Sequence, residues 1–81
     1  MYYVTMTDSF MSGWGLSQGR INKLIFACAN YDEALIVYNK GKNRSEMKYV
    51  NICTKKPYYN ARKYFVQEKT RADCPNWYKA N

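Results

Sequence analysis

The chain has no histidine, which removes the side chain most often used as a general acid or base near neutral pH. Its carboxylates, Asp8, Asp32, Glu33, Glu46, Glu68 and Asp73, are scattered. Only Asp32 and Glu33 adjoin, and their position just after Asn30 suits the positive end of a helix better than a two-carboxylate reaction site. Cys28, Cys53 and Cys74 have no histidine to activate them as nucleophiles. They cannot all pair within one chain, and without any C-x-x-C spacing they make no zinc signature. Cys28 and Cys53 are expected as small apolar core residues and Cys74 as a free thiol. The glycines at Gly13, Gly15 and Gly19 do not follow G-x-G-x-x-G, and no lysine follows in P-loop spacing. No catalytic residue, metal ligand or cofactor is expected, and the chain reads as a non-enzyme.

The chemistry that remains is cationic and aromatic. Between 40 and 63 the basic residues Lys40, Lys42, Arg44, Lys48, Lys55, Lys56, Arg62 and Lys63 face only Glu46, so this window holds the whole formal excess of +7. Tyr49, Tyr58, Tyr59 and Tyr64 interleave with them. Ammonium and guanidinium groups neutralise phosphates, and aromatic faces stack on unpaired bases. The expected contacts to nucleic acid or an acidic partner are the eight cations together with Tyr58 and Tyr59. The competing reading is a basic surface that only keeps the chain in solution. A second cluster, Phe10, Met11 and Trp14, lies in a stretch rich in glycine and serine. It reads either as a hydrophobic partner contact or as a loop folded back over its own sheet.

These residues need elements to position them. At 81 residues the chain fits one domain, 1–81. Alternation of Tyr2, Val4 and Met6 with Tyr3, Thr5 and Thr7 predicts a strand over 2–7, and a second runs from 20 or 21 to about 29. Asn30 with Glu33 three residues on has the spacing of a capping box. Ala34, Val37 and Tyr38 form a helical stripe, and Gly41 reads as the stop, so a helix is expected over about 31–40. Strands over 47–54 and 61–68, flanking a turn at Lys55–Asn60, read as an antiparallel hairpin inside a basic unit, 47–69. The tail, 70–81, is expected to dock through Trp77 and Tyr78. The predicted class is α+β: an antiparallel four-stranded sheet in ββαββ order with one helix on one face. The N-terminus lacks a signal-peptide pattern and no apolar run reaches membrane-spanning length, so a cytoplasmic location without membrane contact is expected.

Four stretches, MYYVTMTD (1–8), FMSGWG (10–15), RSEMKYVNI (44–52) and KPYYN (56–60), resemble a family of short proteins encoded by bacteriophages and mobile elements. The resemblance brings no catalytic residues. It implies a small phage-type binding protein that inhibits a host defence complex, in the manner of anti-CRISPR proteins, with a CRISPR effector as the suspected partner in a bacterial host. A basic chain would do so by occupying a protein or nucleic-acid-facing surface. The alternatives are an autonomous RNA- or ssDNA-binding protein using the basic, tyrosine-rich hairpin, and a structural protein whose open sheet face is covered by a second copy in a homodimer.

Overall fold

Val4, Met6, Leu24, Phe26 and Cys28 need one dry face, and strand alternation supplies it. The computed structural model describes residues 1–9 and 19–80. In it β1 (Tyr2–Asp8) pairs antiparallel with β2 (Ile21–Cys28) in a register that sets Val4 opposite Phe26 and Met6 opposite Leu24. All five of these side chains are buried. Helix α1 (Tyr31–Lys42) packs on this face. The Asn30 side chain accepts from the Glu33 amide at 2.8 Å, and Glu33 accepts from the Ala29 amide at 2.9 Å, one residue earlier than a strict capping box.

The helix runs past the expected stop. Gly41 lies inside its last turn, and a Cβ there would come within 2.8 Å of Met6 Cε and 3.3 Å of Val50 Cγ1. Glycine here accommodates the close approach of α1 to the sheet and does not mark a helix end. The helix packs on β1, β2 and β3 (Met47–Cys53). A 3-10 turn at Pro75–Tyr78 completes that layer. The Trp77 ring sits 4.7 Å from that of Phe26, and the buried Tyr78 hydroxyl donates to the Ala27 carbonyl at 2.9 Å, with the Lys69 carbonyl at 3.2 Å. The tail therefore docks through the two residues expected to hold it.

The sheet is mixed, in the order β3-β1-β2-β4, and not the wholly antiparallel sheet expected. β3 pairs antiparallel with β1, whereas β4 (Tyr64–Lys69) lies parallel to β2 on the far edge. The predicted hairpin does not form. The segment 54–63 instead crosses the face opposite the helix. The crossover spans three strand spacings, about 14 Å, and also runs the length of the strands, about 20 Å, so the diagonal of roughly 25 Å uses most of the roughly 35 Å that a stretch of this length reaches when extended. Residues 56–60 accordingly carry no regular structure. Asn60 then turns the chain into β4, its side chain accepting from the Arg62 amide and its carbonyl from the Tyr64 amide.

The crossover explains why the second sheet face is not simply open. Thr5, Thr7, Lys23 and Ile25 point that way and are all buried. Cys53 also lies on this face, paired with Tyr3 and half-buried, so it is not the core residue expected. Cys28 is in the core, and burial, reinforced by the Glu33 charge, pushes its thiol up to about 11. Cys74 is a free thiol packed against the core.

Candidate nucleic-acid interface

The register places the end of β1 and the starts of β2, β3 and β4 at one end of the sheet. Helix α1 also finishes there, since Asn43 to Glu46 link it directly to β3. Of the predicted contact residues, Lys42, Arg44, Lys48, Arg62 and Lys63 therefore collect at this end, and all five are exposed. Arg20 joins them, its guanidinium lying 5.2 Å from the Phe65 ring centroid and donating to the Ala61 carbonyl. Arg44 is braced at 4.6 Å over the Trp77 ring and at 3.5 Å from Glu46.

The other predicted contacts go elsewhere. Lys40 is half-buried and donates to the Asn76 carbonyl, so it fastens the tail. Lys55 and Lys56 lie where the crossover leaves β3, and Lys56 is ion-paired with Glu68. Tyr58 is 89% exposed on the crossover. Tyr59 turns inward: its ring lies 5.1 Å from that of Tyr64 and 5.2 Å from Lys23 Nζ. Burial raises its pKa, against a hydrogen bond with Thr5 that lowers it. It holds the crossover to the sheet and is not the outward anchor expected. Phe10, Met11 and Trp14 fall outside the described residues.

On the same sheet face, at this end, lies a cleft of about 440 Å³, lined by Thr7, Ser9, Ile21, Lys23, Lys48, Tyr49 and Tyr64. Its wall is shaped by a β-bulge. Thr5 pairs with Asn51 and Thr7 with Lys48, so Tyr49 and Val50 together oppose Met6. Tyr49 takes up the extra residue at φ 55°, a left-handed conformation unusual for a bulky side chain. The bulge switches the alternation of β3. Val50 and Met47 both face the helix side, where Met47 packs against the core, while Lys48 turns to the cleft and Tyr49 stands 76% exposed beside it.

The floor is Lys23, 8% exposed. Its ammonium donates to Thr7 Oγ1 at 3.1 Å, and among the described residues no carboxylate forms an ion pair with it. Burial lowers its pKa, with a smaller opposing influence from Cys53. An ammonium has three donors, so this group can accept a further anionic or carbonyl partner. Sequence reasoning did not select Lys23 or Arg20. Lys23 left one trace, a charge at an alternating position in an otherwise apolar strand. No group of three or more metal-ligating side chains occurs among the described residues, and no helix among them is long and apolar enough to cross a membrane. What these groups can do together is bind anions next to an exposed aromatic plane.

No protein-family model, curated protein or solved structure matches the chain.

Proposed function

We propose that this chain is a non-catalytic binding protein that engages single-stranded nucleic acid through the basic end of its sheet. The observation that supports this reading is the convergence of Arg20, Lys42, Arg44, Lys48, Arg62 and Lys63 at one end, from four separate segments, beside the exposed ring of Tyr49. Cations gathered at one end can neutralise the phosphates of a strand, and a free aromatic face suits unpaired bases better than a closed duplex. The resemblance to phage-encoded proteins supplies a setting: the strand would be one displayed by a host defence complex such as a CRISPR effector, which the protein would block by occupying it.

The test compares the two ends of the molecule by fluorescence anisotropy with labelled single-stranded RNA, single-stranded DNA and duplex DNA. Lys48→Glu with Lys63→Glu is expected to weaken single-strand binding at least tenfold. Lys55→Glu with Lys56→Glu, at the other end and partly neutralised by Glu68, is expected to change it less than threefold. Equal losses from both pairs would mean that attraction is spread over the whole surface, and the reading would fail.

A further inference from the structure

Two features of the cleft cost stability: an ammonium buried without a carboxylate, and a bulky side chain at the left-handed position of the bulge. Lys23 is a buried ammonium whose side chain is met by one threonine hydroxyl and the face of Tyr59. The described chain brings it no carboxylate, and the segment 10–18 contains no acidic residue. Tyr49 holds a left-handed backbone conformation, at φ 55°, while its large ring stays in solvent. Asparagine or glycine would carry that backbone with less strain. Strain and an unmatched charge that adjoin in one cleft are what a preorganised site looks like before its ligand arrives.

From this geometry we propose that the cleft is a subsite for a single nucleotide: Lys23 and Lys48 take the phosphate, and Tyr49 supplies the plane on which the base lies. The inference rests on the nucleic-acid reading and deepens it. The volume of about 440 Å³ lies within the range of small-ligand clefts, about 300–1,000 Å³. The two lysines are of different kinds. Lys48 is exposed and mobile in its reach, and draws the phosphate in. Lys23 is fixed between Thr7 and Tyr59, and its charge is worth more to an anion because little water competes for it. The Thr7 hydroxyl already accepts from Lys23, which leaves its proton free to donate to a phosphate oxygen. Ser9 Oγ is occupied differently, donating to the Glu46 carbonyl at 2.7 Å, and so serves as a wall. Tyr64, braced against Tyr59, closes the side opposite Tyr49. The bulge is the device that builds the site: without it Lys48 would face the helix layer.

The experiment is a titration of the isotope-labelled protein with a 5′-mononucleotide, its nucleoside and inorganic phosphate, followed by amide chemical shifts at low salt. The mononucleotide is expected to move the signals of Thr7, Lys23, Lys48, Tyr49 and Tyr64 and to bind more tightly than either fragment. Tyr49→Gly, which relieves the backbone strain, is expected to fold at least as well as the parent and yet bind the mononucleotide roughly tenfold more weakly, the loss of one stacking contact. Lys23→Met is expected to lose affinity for both mononucleotide and inorganic phosphate. Undiminished mononucleotide binding by both variants, or shifts confined to another face, would overturn the subsite. If oligonucleotide affinity survives Tyr49→Gly and Lys23→Met unchanged, the basic end binds strands without this cleft and the subsite is again overturned. If the mononucleotide titrates the cleft but no oligonucleotide binds, the subsite stands and the strand-binding reading fails.

Discussion

Lys23 and Tyr49 are the residues where local energetics and the proposed function pull apart. A buried ammonium without a counter-charge disfavours the folded state, because desolvation penalises its charged form. Lys23→Met is therefore expected to stabilise the protein at pH 7 by about 1–2 kcal/mol. The sign with pH follows from linkage. The folded-state pKa of Lys23 lies below 10.5, so between those two values the unfolded chain binds more protons and stability rises with pH. The advantage of Lys23→Met should accordingly shrink as the pH is raised toward 10.5, as read from urea midpoints. Cys28 acts oppositely. Its thiol is held up to about 11 from an ordinary 9.0, so its contribution is present below pH 9 and lost above it. A constant advantage for Lys23→Met across this range would show that its charge is not what costs stability. Lys23 was not legible as special in the sequence, and Tyr49 was legible only as one of four tyrosines among the cations. One lysine in a strand reads as a solvent-facing position, and burial by a distant crossover leaves no local mark. The bulge did leave one: Met47 and Val50 are both apolar at a separation that strict alternation cannot place on one face.

Among the elements, those specified by local signals were legible. The Asn30 cap, the Ala34 and Val37 stripe and the alternation of β1 and β2 each depend on residues a few positions apart and appear as read, with Glu33 reaching back one residue further, to Ala29. The partner of β4 depends on which sheet edge is free, which only the assembled molecule decides. The motif Lys55-Lys56-Pro57 breaks a ladder equally well in a tight turn or in an extended crossover, so the hairpin reading had no local evidence against it. Gly41 was a similar ambiguity, a stop signal that proves to be a contact. It gives a test of the helix–sheet packing. Alanine at this site gains about 1 kcal/mol of helix propensity and must push aside the Met6 methyl group, so Gly41→Ala should be near neutral. Gly41→Val adds two methyl groups in the same space against Met6 and Val50 and should destabilise by about 2–3 kcal/mol. Thermal or urea unfolding of the two variants measures this directly, and equal stability for both would mean that α1 does not approach the sheet as closely as described.

For the whole molecule, the crossover decides how charge is distributed. A hairpin would have concentrated the basic window in one projection. Passing 54–63 over the sheet instead leaves Lys55 and Lys56 at one end and carries Arg62 and Lys63 to the other, where they meet Lys42, Arg44 and Lys48 arriving from the helix and β3. The basic end is thus assembled from segments distant in sequence, and the same crossover shields Lys23 through Tyr59. The central claim is that this end binds the phosphates of a single strand. The most direct test is the slope of log affinity against log salt for a labelled single-stranded oligonucleotide between about 50 and 200 mM. Neutralising roughly four phosphates predicts a slope near −3, reduced in magnitude by about one in Lys48→Glu. Binding that is flat over this range, or absent at the lower salt, would contradict the account.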